Sequence, residues 1–286
     1  MSLFFALSGF LIVSLLRHNA DVAEFMIRRL SRIVPLAYAY TFIVFTLVIF
    51  DPKDMLWTNT FLVNYFPDHL NGYNAHFWSL CVEVQFYVAI ALVILLAGER
   101  GLWIVWPACL AITALRITEG AYIHIQTHLR GDEILAGACL ATLYQASWNG
   151  KARLPILSVT LTAAFWFISS SPYSEWVQYL RPYATVLFLG TVLCLGESLI
   201  VTVLSSRPLR YIAAISYALY VIHPITVAGW WNEGTIVDRY LFKRPISFFM
   251  TFIAAHVSTF YWERPCQNAG RQWIKQRRSR RAHAAA

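Results

Sequence analysis

The stretch His76-Phe-Trp-Ser-Leu-Cys-Val-Glu-Val-Gln-Phe-Tyr87 sets a carboxylate, Glu83, near the start of a run that stays apolar to Ala97 and is long enough to cross a bilayer. An ionisable group at that depth costs at least roughly 2.5 kcal/mol unless it is partnered, so in a membrane protein it marks a functional site by default. Ser79, Glu83 and Tyr87 recur every four residues and form one polar stripe on a helix whose other faces are apolar. Such a stripe faces protein or a cavity. Glu83 can orient or deprotonate a hydroxyl there, because desolvation moves a carboxylate toward the range useful to a general base. The competing reading is structural: a carboxylate bonded to an arginine or a tyrosine hydroxyl.

Working outward, the chain has 58% hydrophobic and 13% charged residues, against about 25% charged in soluble proteins. This points to lipid as the solvent. Apolar runs at 2–16, 33–50, 77–97, 102–117, 132–147, 155–170, 183–204, 211–231 and 245–262 predict an all-α, polytopic transmembrane bundle of about nine crossings. Gly98 to Gly101 joins two of these in a tight hairpin. The five cysteines stand singly, without metal or redox spacing, and read as packing residues. The net charge of +8 is gathered in short clusters between apolar runs, and nothing resembles a nucleic-acid module.

Threading the spans puts Arg17, Arg28, Arg29, Arg32, Arg100, Lys151, Arg153, Arg207 and Arg210 on one side. The tail residues Arg264, Arg271, Lys275, Arg277, Arg278, Arg280 and Arg281 join them. Lys53, Arg116, Arg130, Arg181, Arg239, Lys243 and Arg244 fall on the other side. The basic-rich side is expected to be cytoplasmic, with residues 1–263 as the membrane domain and 264–286 as a basic cytoplasmic tail. The amino-terminal run spans only about 15 residues where roughly 20 are needed. No cationic stretch precedes it as a signal peptide requires. A missing upstream helix, or a shortened helix leaning on its neighbours, would account for this. The outer segment from Asp51 to Ala75 carries Trp57, Phe61, Tyr65 and Phe66 among asparagines, and reads as aromatic anchoring at the interface or an amphipathic segment lying there.

Two further clusters bear on chemistry. Arg28, Arg29 and Arg32 lie at helical spacings of three and four, an arrangement suited either to polyanions such as coenzyme phosphates or to simple topology anchoring. In Ile215-Ser-Tyr-Ala-Leu-Tyr-Val-Ile-His-Pro224, Ser216, Tyr220 and His223 align on one face. Pro224 lacks an N–H, so it frees the carbonyl of Tyr220 and favours a kink beside His223. His223 is then either a proton carrier or a satisfied packing residue. Asp132 with Arg130, and Glu263 near the end of the last span, read as ion pairs. His124 and His128 have metal-ligand spacing without a third ligand nearby, so no metal is expected.

In order, Leu3-Phe-Phe-Ala-Leu-Ser-Gly-Phe-Leu-Ile12, the arginine segment ending in Pro35, the Phe-Trp-Ser-Leu-x-Val-Glu block, the Ile-Ser-Tyr-x-Leu-Tyr-x-Ile-His-Pro block and the closing Glu-Arg-Pro resemble the acyltransferase-3 family. These are bacterial inner-membrane O-acyltransferases. The resemblance implies acyl-CoA, usually acetyl-CoA, as the cytoplasmic donor, and a hydroxyl of a cell-surface or lipid-linked glycan, such as peptidoglycan or lipopolysaccharide, as the acceptor. It implies membrane lipids as the surroundings. Arg29 and Arg32, with Arg28, would engage the coenzyme. Glu83, His223 and Tyr220 would line the reacting centre, and Trp78, Ser79, Tyr87 and Tyr217 would contact substrate. Cys81 and Val84 replace the family's usual serine and second glutamate, which leaves Glu83 the only carboxylate of its block. The family's functional histidine in an upstream helix precedes the point where this chain begins. A transporter or flippase for a lipid-linked glycan, or a non-catalytic partner in polysaccharide synthesis, would use similar intramembrane charges.

Overall fold

The computed structural model describes residues 1–144, 154–195, 199–228, 230 and 233–285. Those residues are mostly helical and contain no strand. The helices are α1 (Ser2–His18), α2 (Val22–Ile43), α3 (Pro52–Asn59), α4 (Phe77–Ala97), α5 (Val105–Thr118), α6 (Asp132–Leu143), α7 (Ile156–Ser170), α8 (Arg181–Leu193), α9 (Leu199–Leu204), α10 (Arg207–Val227), α11 (Arg244–Val257) and α12 (Arg264–Ala285). The all-α expectation holds. Among the described residues, Val22–Val48 and Phe77–Thr118 are long and apolar enough to cross a membrane, while Ser2–His18 and Ile156–Ser170 are apolar but shorter.

Element boundaries differ from the expected spans where hydropathy and helicity part company. The run expected at 33–50 begins instead at Val22, because Glu24, Met26, Arg28, Arg29, Leu30 and Arg32 are good helix formers regardless of their polarity. The arginine cluster therefore lies inside a helix. Between α4 and α5 the chain reverses as expected. Gly98 takes φ +62°, and a side chain on Gly101 would meet Val93 and Ala97 of α4. The ends of the spans expected at 132–147 and 211–231, the middle of 183–204, and Lys151 with Arg153, lie outside the described residues.

The chain forms two compact units, one built from Met1–Val22 with Trp78–Val203 and the other from Ala23–Phe77 with Leu204–Ala286. In the first, α1 is packed against α6 and α8, with Phe5, Ile12, Val13 and Leu16 fully enclosed. The approach of α1 to α6 is set by glycine. A Cβ on Gly9 would run into the Ile134 carbonyl, and one on Gly137 into the Ala6 carbonyl. Small residues at such crossings let backbones touch and are the usual packing device where no hydrophobic force separates helix from surroundings.

In the second unit α10 packs along α11, and α12 lies beside the first half of α2. Gly270 rests on Ile27 and Ser31, and Arg278 binds Glu24 with contacts from 2.6 to 3.1 Å. The region 264–285, expected as a tail, is thus a continuous helix held to α2. The segment from Asp51 to Ala75 folds on itself. Asp51 caps α3 through the N–H groups of Lys53 and Asp54, Trp57 lies 3.9 Å from the Phe66 ring centroid, and Asp54 accepts from Asn71 and contacts His69.

A valine at Gly9 is expected to lower stability by about 1–3 kcal/mol or more through overpacking, read as a fall in the melting midpoint of the detergent-solubilised chain. Gly72→Ala, where the added methyl meets nothing, leaves the midpoint unchanged. Equal midpoints for all three proteins would contradict the α1–α6 contact.

Candidate active-site groups

In the first unit the carboxylate of Glu83 is buried on α4 and is held by two hydroxyls. Ser8 Oγ of α1 donates to its Oε1 at 2.5 Å, and Tyr87, one turn along α4, donates to the same oxygen. Ser79, Glu83 and Tyr87 are all buried, so the polar stripe faces the protein interior. The sequence pattern supplied Glu83 and Tyr87 but not Ser8, whose Ser-Gly pair sits in an apolar run with no partner in view. Trp78 packs edge-on to Phe5 at 5.8 Å and carries the guanidinium of Arg130 over its ring at 5.4 Å.

Five charged side chains are buried beyond Trp78. Arg116 donates to Asp132 Oδ2, and its remaining N–H groups reach the carbonyls of Ala121 at 3.4 Å and Tyr122 at 2.8 Å. Thr113 also reaches Asp132 at 3.3 Å. Arg181 donates to Glu133 at 2.7 Å, and Arg130 approaches the other oxygen of Glu133 at 3.4 Å. The ion pair expected between Asp132 and Arg130 is therefore rearranged. Arg116, one helix earlier and enclosed beside Asp132, takes that carboxylate, and Arg130 turns to Glu133.

The second unit gathers two imidazoles around α10. As the sequence implied, Pro224 leaves the Tyr220 carbonyl without its helical donor, and His223 Nδ1 fills the gap at 2.7 Å. The proton of a neutral His223 is then fixed on Nδ1, which leaves Nε2 as the acceptor nitrogen. His76 Nε2 donates to the adjacent Val221 carbonyl at 3.2 Å, and its ring stands 5.3 Å from that of His223 at 69°. Tyr220 donates to the His76 carbonyl. Burial, and then the neighbouring His223, push the His76 pKa down to about 3, so this ring is neutral at physiological pH. Tyr217 donates to Ile33 O of α2 at 2.6 Å. Ser216, on the expected face, is instead exposed and bonds back to Ala213 O at 2.9 Å. His76 opened the segment that decides the fold, yet its link to α10 is tertiary and carries no local signal.

On α2, Arg28 and Arg32 are exposed and Arg29 is half-buried. Arg28 pairs with Glu24 at 2.6 Å, a carboxylate it shares with Arg278. The charge of Arg32 bears on the buried Glu263, which accepts from Ser258 at 3.2 Å and Thr259 at 3.1 Å. The ion pair expected at Glu263 is thus mainly a hydroxyl-bonded carboxylate. No group of three metal-ligating side chains occurs among the described residues.

Comparison with known proteins gives the class of the chain. The profile of the acyltransferase-3 family, described as an acyltransferase domain, matches residues 1–262, and the chain belongs to this family. The chain is similar to the O-acetyltransferase OatA of Staphylococcus aureus (strain NCTC 8325 / PS 47), 27% identical over 93% of this chain and 52% of that protein. It is also similar to the peptidoglycan O-acetyltransferase OatA of Listeria monocytogenes, 24% identical over 94% of this chain and 51% of the relative. It spans about half the length of these relatives. No solved structure matches the chain.

Removing one partner of an enclosed ion pair costs about 3–5 kcal/mol, because the other charge is left buried alone. Asp132→Ala is expected to lose stability on that scale in thermal unfolding. The double change Arg116→Met with Asp132→Leu recovers most of the loss. A wild-type melting midpoint in Asp132→Ala would show that the pair is not enclosed.

Proposed function

We propose that this chain is the membrane-embedded part of an O-acyltransferase of the bacterial inner membrane. It moves an acyl group, most simply acetyl, from cytoplasmic acyl-CoA to a hydroxyl of a cell-surface or lipid-linked glycan. The bond that breaks is the thioester of the donor, and the bond that forms is an oxygen ester on the acceptor. The acceptor's hydroxyl proton is taken up by a base and delivered to the departing thiolate. The observation that carries this reading is the buried Glu83 carboxylate, gripped by Ser8 and Tyr87 in a chain matched by an acyltransferase family over residues 1–262.

In this reading Glu83 accepts the proton of the acceptor hydroxyl, in the manner it already accepts from two protein hydroxyls. His223 offers Nε2 for proton transfer while Nδ1 stays tied to the backbone, and Tyr220 fixes the loop carbonyl of His76 beneath it. Arg29 and Arg32 engage the diphosphate of the coenzyme, and Arg28 adds charge from its pair with Glu24. Trp78, Ser79 and Tyr87 of the first unit, and Tyr217 of the second, contact substrate in this reading. The chain crosses the bilayer about nine times, with residues 1–263 as the acyltransferase-like membrane domain and 264–286 as its basic cytoplasmic tail. Membrane lipid surrounds it. The names of the relatives favour peptidoglycan as the glycan.

In proteoliposomes given radiolabelled acetyl-CoA and a glycan acceptor, label is expected to appear as an alkali-labile ester. Arg32→Ala should lower coenzyme affinity at least about tenfold, the scale of one charge-assisted contact of 1.5–3 kcal/mol. Full affinity and turnover in that variant would remove the arginines from the donor site. Glycan movement across the vesicle without any donor would replace the enzyme with a flippase.

A further inference from the structure

Within the first unit, the loop after α5 and the segment before α8 line a groove of about 480 Å³ that no step of the proposed reaction uses. Its size falls within the roughly 300–1,000 Å³ of small-ligand sites. Glu119, Tyr122, His124, Pro172 and Gln178 are among the lining residues, and the distribution of basic residues along the chain puts both stretches on the outer side. One wall is tied down from behind. The enclosed Arg116 donates to the carbonyls of Ala121 at 3.4 Å and Tyr122 at 2.8 Å, and its guanidinium lies 5.6 Å from the Tyr179 ring centroid. The Tyr122 ring packs on Tyr179 at 4.9 Å and stays 38% exposed.

The other wall carries an unmet acceptor. Gln178 is 3% exposed, and its Nε2 donates to the Pro172 carbonyl at 3.2 Å. A carbonyl is met only by the NH2 end of an amide, so this bond fixes which way the side chain points. Its enclosed Oε1 is left without a hydrogen-bond partner. Enclosed polar atoms are almost always bonded, so this point of the groove calls for a donor. The lining adds the exposed carboxylate of Glu119 and the imidazole of His124, with no lysine or arginine among the described lining residues. An anionic ligand would therefore meet a carboxylate and no permanent cation. A ligand with several hydroxyl or amide donors and one apolar face suits both walls. Its donors turn to Gln178 and Glu119, and its C–H groups lie on the exposed Tyr122 ring, whose π face is negative. A neutral sugar ring has both sides.

We propose that this groove is a sugar-holding subsite that takes one neutral pyranose ring of an oligosaccharide, through residues other than those assigned to the chemistry. It rests on the acyltransferase reading only for its purpose, which is to hold one ring of a chain while another ring is acylated. Tyr122 supplies the platform, Gln178 Oε1 accepts from a ring substituent, and Arg116 positions the Tyr122 loop.

The test is isothermal titration of the detergent-solubilised full chain without donor. The probes are chitotetraose, which is neutral, its fully deacetylated form, which carries amines, and tetragalacturonate, which carries carboxylates. Wild type is expected to bind chitotetraose at least about tenfold more tightly than tetragalacturonate, and no more weakly than the amine form. Tyr122→Ala and Gln178→Leu should each weaken chitotetraose binding about tenfold, or about 1.4 kcal/mol. Tyr122→Phe, which keeps the ring, stays within twofold of wild type. The half-exposed Tyr122 decides the matter if Gln178→Leu does not fold. Absence of chitotetraose binding in wild type, tighter binding of either charged tetramer, or unchanged affinity in Tyr122→Ala overturns the subsite and leaves the acyltransferase reading standing. Neutral-sugar binding that Tyr122→Ala weakens, in a protein that transfers no acyl group, keeps the subsite and counts against that reading instead.

Discussion

A carboxylate enclosed among apolar helices has to be given donors, and the first unit is organised around doing so for Glu83. Hydrogen bonds to a charged group are worth about 1.5–3 kcal/mol each, well above the neutral average. Two of them converge on one oxygen. One comes from the same helix and needs only four-residue spacing. The other comes from Ser8 of α1, which requires that helix to sit close; the bare backbone at Gly9 and Gly137 lets α1 press into α6 and holds it in place. The same bonding that makes the carboxylate tolerable also presents it to hydroxyl groups, which is the property the proposed chemistry uses.

Other polar groups follow the same economy by different means. Arg116 and Asp132 form an enclosed pair, whereas Arg130 and Arg181 both approach Glu133. In the second unit Pro224 leaves the Tyr220 carbonyl without a helical donor and His223 Nδ1 answers it, while His76 Nε2 bonds the Val221 carbonyl. That solution fixes which nitrogen of each ring carries the proton. A structural need of the backbone thereby determines the chemistry available to His223.

Much of this was legible in the residues. The four-residue stripe on α4 predicted a helix from 77 to 97 and its inward face, because period and polarity are local properties. Pro224 predicted a carbonyl in want of a donor, because the missing N–H is written in one residue. The family resemblance rested on short blocks in order, and the profile match over residues 1–262 agrees with it. What stayed hidden was tertiary. Ser8, His76 and the exchange of Arg130 for Arg116 at Asp132 depend on which helices meet, and no spacing along the chain encodes that. The start of α2 at Val22 was missed because a charged helical turn looks like a loop to a hydropathy reading.

The central claim is that the Glu83 carboxylate acts on the acceptor hydroxyl, and its most direct test is the Glu83→Gln protein, which keeps size and hydrogen-bonding capacity but loses the base. The account predicts that single-turnover acetyl transfer to glycan falls at least about 100-fold, the lower end for loss of a general base, with coenzyme affinity within twofold of wild type. Transfer at the wild-type rate in a folded Glu83→Gln protein would contradict it.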